Sequence, residues 1–133
     1  MKIKTLIIDD EASIRTDLKE MLEEYFSETI LVVGEASDVT EGIAQIKDLT
    51  PDLILLDIHL GNGTGFDILS AIDHKNFNII FITGFNDNAI KAIKVGALDY
   101  ILKPVDEDEF VEAIQKAIAL KNQENPLDKL IEV

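Results

Sequence analysis

The sequence predicts a doubly wound α/β domain, in which helices cover both faces of a parallel sheet. Two observations support this fold class. Five short runs rich in Ile, Val and Leu recur along the chain, and segments with apolar residues at helical spacing separate them. The runs show little two-residue alternation, which is typical of parallel strands buried on both faces. Right-handed crossovers then give a five-stranded parallel sheet with five helices.

The predicted strands alternate with five amphipathic helices. The strands are residues 3–8, 30–33, 53–56, 79–82 and 98–102. Each helix has a stripe of apolar residues at three- and four-residue spacing, which is the side that we expect to be buried. In chain order the stripes are Ile14, Leu18, Met21, Leu22 and Tyr25; Val39, Ile43 and Ile46; Phe66, Leu69 and Ile72; Ala89, Ile90 and Ile93; and Phe110, Ile114, Ala117 and Ile118.

Start and stop signals support the same division of the chain. Asp38 with Glu41, and Asp106 with Glu109, resemble capping boxes, in which side chains satisfy free backbone N–H groups at the start of a helix. Gly96 is suited to end the fourth helix, because glycine readily adopts the left-handed conformation found there.

Length and composition indicate one soluble, cytoplasmic domain. The 133 residues carry a formal net charge of −14, and 47% of them are apolar, which is enough for a folded core. This charge argues against nucleic-acid binding by the segment alone, because phosphates would be repelled. The absence of cysteine excludes a disulfide framework, a thiolate zinc site and a cysteine nucleophile. We recognise neither a signal peptide nor a membrane-spanning run.

The end of the chain departs from the alternating pattern. We expect residues 1–121 to form the domain and 122–133 to be a linker or the start of a following element. A polar stretch ends in Pro126, and Leu127, Leu130 and Ile131 then follow at helical spacing. A frayed C-terminus is the alternative.

Polar side chains follow four of the five predicted strands. Asp9 and Asp10 follow the first, Asp57 the third, Thr83 the fourth and Lys103 the fifth. Ligands of doubly wound sheets bind beyond the carboxyl ends of the strands, so we expect these groups to converge. Taken singly, each residue has an ordinary structural explanation, such as a helix cap or a solvated loop lysine. Their joint placement favours a functional site.

The residue types indicate the chemistry of that site. Two carboxylates about 4 Å apart repel each other by ~4 kcal/mol at an effective dielectric constant of ~20, so the cluster of Asp9, Asp10 and Asp57 needs a proton or a cation. Hard carboxylate oxygens suit Mg²⁺. With the ammonium of Lys103 and the hydroxyl of Thr83, the set suits the stabilisation of phosphoryl oxygens around a carboxylate nucleophile.

These motifs resemble those of a known family. The segments IIDDE, LILLD ending at Asp57, FITG with Thr83, and DYILKP with Lys103 are similar to the receiver domain of bacterial two-component response regulators. The likeness covers about residues 2–121 and implies a flavodoxin-like sheet with strand order 2-1-3-4-5. The stretch from FITG to FVEAI is most similar to receivers of LytTR-type regulators, in which a DNA-binding domain follows the receiver. We therefore expect this chain to be part of a longer transcription regulator.

The resemblance also implies residue roles. Asp57 would accept a phosphoryl group from the phosphohistidine of a sensor histidine kinase. Asp10, Asp57 and the backbone carbonyl of His59 would bind Mg²⁺, and Asp9 would act through a water molecule. Lys103 would pair with the phosphoryl group.

Two further residues would convert phosphorylation into a conformational signal. Thr83 would move toward the phosphoryl oxygen, and Tyr100 would follow by turning inward. The fourth helix, fifth strand and fifth helix would then present a changed face, and the Lys103–Pro104 peptide would be cis.

One loop departs from the family pattern. Many members have a proline where Gly61 stands, so the conformation of this glycine-rich loop is open. His59 lies at a position that tunes the phosphoryl lifetime in the family, although a surface histidine is the simpler interpretation. Small Gly84 would leave the site open, and Phe85 would shield it.

The same residues leave room for two other functions and for a partner surface. A metal-dependent phosphohydrolase with an aspartyl intermediate would use similar chemistry, but the chain has no insertion long enough for a cap. A flavodoxin-like cofactor carrier would need a phosphate-binding loop where the acidic DDE stands. We therefore expect a regulatory domain rather than an enzyme. Lys91 and Lys94 of the fourth helix could face the acidic run 106–109 of a second copy, although two solvated faces are an equal alternative.

Overall fold

The computed structural model describes residues 2–73 and 76–123 and confirms the doubly wound fold. The strands are β1 (Ile3–Ile8), β2 (Ile30–Ala36), β3 (Leu53–Leu56), β4 (Asn78–Thr83) and β5 (Asp99–Leu102). The helices are α1 (Ala12–Phe26), α2 (Val39–Leu49), α3 (Gly65–Ser70), α4 (Ala89–Lys94) and α5 (Glu107–Gln123). All strand pairs are parallel, in the order β2-β1-β3-β4-β5.

Two apolar layers hold the sheet between the helices. On one face, Leu6, Leu56 and Phe81 of the sheet pack with residues of α2 and α3 and with Ala92 of α4. On the other face, Ile7, Leu55 and Ile80 pack with residues of α1 and α5. Side chains of a strand point alternately to the two faces, so the apolar runs supply both layers at once.

β2 is longer than predicted. It continues through Gly34 and Glu35 to Ala36, and the register with β1 shifts between Thr5 and Leu6. Glu35 is tolerated at this edge because its carboxylate pairs with Arg15 at 3.0 Å and with Lys19 at 2.7 Å. The strand therefore continues past residue 33, where the apolar run ends, because Glu35 has ion-pair partners at the edge of the sheet.

The helix caps follow the predicted positions in part. Asp38 accepts a hydrogen bond from the backbone N–H of Glu41 at 2.8 Å, and Asp106 accepts one from that of Glu109 at 2.9 Å. Gly96 follows α4 with φ +81°. The capping box with both reciprocal bonds, between Thr64 and Asp67 of α3, was not predicted.

The predicted buried stripe of α4 is wrong. Ile90 and Ile93 are 71% and 74% exposed, and Ala92 is the residue of this helix that is buried. Three-residue spacing identifies a helix face, but it does not determine which face meets the core. The Nζ of Lys91 also lies over the ring of Phe66, 4.4 Å from the ring centroid, so this basic side chain of α4 packs against α3.

The end of α5 lies close to the expected domain boundary. The helix includes Asn122 and Gln123, the first two residues of the segment that we predict to be a linker or the start of a following element. Residues 124–133, with Pro126 and the apolar residues after it, lie outside the described residues. Among the described residues no helix has the length and apolar character needed to cross a membrane.

Candidate metal centre

The carboxyl edge of the sheet brings the predicted site residues together. Asp9 follows β1, Asp57 follows β3 and Thr83 ends β4, and all three are buried. Lys103 follows β5 and donates its backbone N–H to the carbonyl of Thr83 at 2.8 Å. The Lys103–Pro104 peptide is cis, as the resemblance implied.

The three aspartates form one cluster. Each of Asp9, Asp10 and Asp57 offers a carboxylate oxygen, and these oxygens lie within 4.8 Å of one another. Asp9 and Asp57 are only 2% and 5% exposed, so their charges are poorly screened by water, whereas Asp10 is exposed. A hard divalent cation such as Mg²⁺ fits this set, because it binds carboxylate oxygens and keeps water molecules on its open side.

Lys103 lies between the two buried carboxylates. Its Nζ is 2.9 Å from Asp9 Oδ2 and 3.0 Å from Asp57 Oδ2. Burial lowers the pKa of Lys103, but the hydrogen bonds to Asp9 and Asp57 outweigh it and leave the pKa raised. Burial likewise raises the pKa of Asp9, despite the lowering effect of Lys103. The ammonium therefore provides part of the neutralisation that the cluster requires.

The backbone around Asp57 is closely packed. Asp57 Oδ1 accepts from the N–H of Ile58 at 2.7 Å, and the N–H of Asp57 donates to the carbonyl of Ile8 at 2.9 Å. A Cβ at Gly65, the first residue of α3, would lie 2.6 Å from the carbonyl oxygen of Asp57. Glycine is therefore required at this position, because α3 starts directly against the site.

The loop after β3 has a defined conformation. Gly61 has φ +76°, which proline cannot adopt, so the proline found in many family members would not fit the backbone of this loop. His59 forms an isolated bridge with Thr64, and its ring lies 4.1 Å from that of Phe85 at a tilt of 60°. His59 is exposed, and Phe85 is 50% exposed. The loop after β3, which carries His59, and the loop after β4, which carries Phe85, thus meet at the rim of the site.

Thr83 and Tyr100 occupy different environments. Thr83 Oγ1 is buried and has no hydrogen-bond partner among the described residues. Such a hydroxyl is available to a phosphoryl oxygen. The hydroxyl of Tyr100 donates to the carbonyl oxygen of Phe85. The pKa of Tyr100 is raised, mainly because the side chain is buried and also because the negative charge of Asp87 is nearby. Phe85 therefore contacts both His59 and Tyr100.

One neighbour of the cluster was not predicted. Arg15 of α1 donates to the carbonyl oxygen of Asp9 at 2.5 Å and to Glu35 at 3.0 Å. Arg15 and Glu35 are 20 residues apart on different elements, so no local motif could have linked them. A basic residue one turn into the first helix, on the side of the strand ends, was the available signal.

Curated relatives of the chain are bacterial regulators. It is 39% identical over 124 residues to the transcriptional regulatory protein BtsR of Escherichia coli K12, an alignment that covers 92% of this chain and 49% of that protein. It is 38% identical to the sensory transduction protein LytT of Enterococcus faecalis, over 84% of this chain and 46% of that protein. The chain spans about half the length of these relatives.

Solved structures share the fold. The receiver domain of AraT, a response regulator from Geobacillus stearothermophilus, superposes with a TM-score of 0.83 at 30% identity, covering 93% of this chain and 98% of that one. The response regulatory domain of mrkE from Klebsiella pneumoniae gives a TM-score of 0.78 at 29% identity, with coverages of 92% and 100%. A family model described as the response regulator receiver domain matches residues 5–115. The chain therefore belongs to the receiver domains of two-component response regulators.

Proposed function

We propose that this receiver domain is a phosphorylation-dependent switch in which Asp57 accepts a phosphoryl group from the phosphohistidine of a sensor histidine kinase. The main supporting observation is the convergence of the three-aspartate cluster, Lys103 and the buried hydroxyl of Thr83, which has no partner within residues 2–73 and 76–123, at one edge of the sheet. A nucleophile, positive charge and a hydroxyl donor are the groups that this transfer needs.

The transfer exchanges one bond to phosphorus for another. An oxygen of Asp57 forms the new O–P bond as the P–N bond to the donor imidazole breaks, and the imidazole leaves with a proton from solvent. Lys103 is placed to pair with the phosphoryl oxygens once they compete with the carboxylates that it now contacts. Asp9, Asp10, Asp57 and the His59 carbonyl would hold Mg²⁺, Asp9 through water. The ion would offset the negative charge of the phosphoryl group.

The signal would leave the site through Thr83 and Tyr100. A phosphoryl group adds about two negative charges beside a hydroxyl that has no other partner in the part of the chain that the structure describes, which favours movement of Thr83 toward it. Movement of Thr83 and of the loop residues 84–85 that follow β4 would shift the carbonyl of Phe85, which Tyr100 contacts. Tyr100 could then turn inward, and the face formed by α4, β5 and α5 would change.

Replacement of the acceptor tests this assignment. Asp57→Asn should abolish Mg²⁺-dependent labelling by phosphoramidate, measured as the mass gain of the intact protein. Asp99→Asn is the matched control, since Asp99 lies in β5, pairs with Lys116 and is remote from the cluster in sequence and contacts. Equal labelling of Asp57→Asn and the unchanged protein would refute the role of Asp57.

The same proposal includes a regulatory output. The chain matches about half the length of regulators such as BtsR and LytT. We propose that it controls transcription in the cytoplasm through a following DNA-binding domain and turns over no separate substrate. The relatives described above are named as regulators, which does not support a phosphohydrolase. Steady hydrolysis of a phosphomonoester would favour that alternative.

A second copy of the domain is the proposed partner of one exposed surface. Five large apolar side chains between residues 85 and 102 are more than a third exposed, and they define the α4–β5 apolar surface: Phe85, Ile90, Ile93, Val95 and Leu102. Lys91 and Lys94 lie on the same helix, and acidic residues begin α5. Exposed apolar side chains on and near a basic helix, together with an acidic helix start, suit a two-fold interface.

Sedimentation tests this pairing. Treatment with beryllofluoride and Mg²⁺ should shift the protein from monomer toward dimer, and the double change Ile90→Ser and Ile93→Ser should prevent the shift. Leu31→Ser is the control, because Leu31 is also exposed but lies on the opposite edge strand β2. An unchanged mass at high concentration, with the site occupied, would contradict phosphorylation-driven dimerisation.

A further inference from the structure

Asp10 has little side-chain support of its own. Its carboxylate is exposed and has no hydrogen-bond partner among the described residues, although it belongs to the cluster suited to Mg²⁺. With no partner for this carboxylate in the described part of the chain, its placement depends on the direction of the Asp10 Cα–Cβ bond, which the backbone sets. The orientation of Asp10 therefore depends on the two peptide units on either side of its Cα.

Both of these peptide units are held by neighbouring groups. The unit joining Asp9 to Asp10 has its carbonyl oxygen bound by Arg15 at 2.5 Å. The unit joining Asp10 to Glu11 has its N–H bound by Asp9 Oδ1 at 2.9 Å. Because peptide units are planar, holding both of them restricts φ and ψ of Asp10 and so sets the direction in which its Cα–Cβ bond carries the carboxylate.

Arg15 is itself held in place. Its Nε donates to Glu35 Oε1 at 3.0 Å, while Lys19 donates to Glu35 Oε2 at 2.7 Å. The Arg15 side chain is 17% exposed, so most of it is shielded from water. A guanidinium can donate in two directions from one rigid plane, which a lysine cannot do. Arg15 thus connects the end of β2 to the backbone that carries Asp10.

We infer that Arg15, held by Glu35, is a positioning residue for the metal centre: it orients Asp10 through the Asp9 carbonyl and so increases the affinity for Mg²⁺. The inference rests on the proposed function, because it concerns the same cation site. Partners of this kind, one step removed from the metal, commonly change metal affinity by about 10–100-fold when they are replaced.

The sign of the effect separates positioning from simple electrostatics. Arg15→Met removes a positive charge near a cation site, so electrostatics alone would strengthen Mg²⁺ binding. Positioning predicts the opposite, a dissociation constant raised about ten-fold. Arg15→Lys keeps the positive charge but loses the planar guanidinium that contacts Asp9 and Glu35 together, so it should also weaken Mg²⁺ binding.

Calorimetric titration of each purified variant with MgCl₂ alone provides the measurement. Lys116→Met is the control, since it breaks a bridge of similar length to Asp99 and should leave the affinity unchanged. Thermal unfolding without Mg²⁺ shows whether each variant is folded. In phosphoramidate labelling, Arg15→Met should need about ten-fold more Mg²⁺ for half-maximal rate and reach a near-normal maximum, because Asp57, Lys103 and Thr83 are unchanged.

Three results would overturn the inference: unchanged or tighter Mg²⁺ binding by Arg15→Met, an equal loss in Lys116→Met, or a lower maximal labelling rate with unchanged Mg²⁺ dependence. Failure of the unchanged protein to bind Mg²⁺ would instead refute the metal centre itself. The two failures are therefore distinguishable.

Discussion

Lys103 supplies a single positive charge between two buried carboxylates, and this arrangement has two opposite energetic effects. Without a cation, its contacts with Asp9 and Asp57 offset their repulsion. With Mg²⁺ present, the same ammonium is a like charge close to the ion. The residue should therefore stabilise the metal-free protein and weaken metal binding.

Lys103→Met should reveal both effects. We expect the free energy of unfolding without Mg²⁺ to fall by about 3–5 kcal/mol, because two buried carboxylates lose their partner. Mg²⁺ should bind about ten-fold more tightly, a change of ~1.4 kcal/mol. Urea unfolding and calorimetric titration measure the two quantities. Weaker Mg²⁺ binding by this variant would contradict the account of the ammonium as a competing charge.

Glu35 should make stability depend on pH in the acid range. The hydrogen bond to Lys19 lowers the pKa of Glu35, burial raises it, and the hydrogen bond to Arg15 lowers it again. The net result is a pKa below the ordinary value of 4.5. The folded state then holds its proton less tightly than the unfolded state. This contribution is present above the unfolded pKa and is lost as the pH falls through the lower, folded pKa.

Comparison with Glu35→Gln isolates that contribution. The difference in free energy of unfolding, measured without Mg²⁺, should be constant near pH ~6 and shrink toward pH ~3. Its size should stay below about 1 kcal/mol, because the carboxylate is partly exposed and its ion pairs are screened by water. A difference that does not change over this range would show that the ion pairs add nothing to stability.

Among the elements, α3 is most directly tied to the site. Gly65→Ala would place a methyl group 2.6 Å from the Asp57 carbonyl oxygen, a contact that backbone must move to relieve. We expect a loss of about 2–3 kcal/mol in unfolding free energy and slower labelling of Asp57. Gly84→Ala is the matched control, because no atom of the described residues lies within 4 Å of a Cβ there. Equal stability of the two variants would argue against a tight start of α3.

Sequence periodicity predicted which helices and strands exist better than it predicted which of their side chains are buried. The five strands and their order followed from apolar runs and a family resemblance, and the acids after β1 and β3 indicated the site. The orientation of α4 was not predictable, because Ile90 and Ile93 would fit a core as well as a surface. Arg15 was missed for a related reason, since its partners lie on two other elements and become neighbours only in the folded sheet.

For the whole molecule, net charge and apolar surface oppose each other. Each copy carries a formal charge of −14, so two copies repel at low ionic strength. The α4–β5 apolar surface would favour association regardless of salt. The effect of salt on the dimer therefore shows which contribution dominates.

We expect association of the beryllofluoride-treated protein to strengthen as NaCl rises from about 0.02 to about 0.5 M, because the Debye length falls and the overall repulsion is screened. Sedimentation velocity at matched protein concentrations gives the dimer fraction. Weakening with salt would instead indicate that the pairing of Lys91 and Lys94 with the acidic start of α5 dominates.

The positions of the two tyrosines have a practical consequence. The chain contains no tryptophan, so Tyr25 and Tyr100 supply its intrinsic fluorescence. Tyr25 binds Glu107, which raises the pKa of Tyr25 to about 12, whereas Tyr100 binds the backbone beside the site. In a Tyr25→Phe protein all tyrosine emission comes from Tyr100, the proposed switch residue. Conformational switching could then be followed in real time without an attached dye.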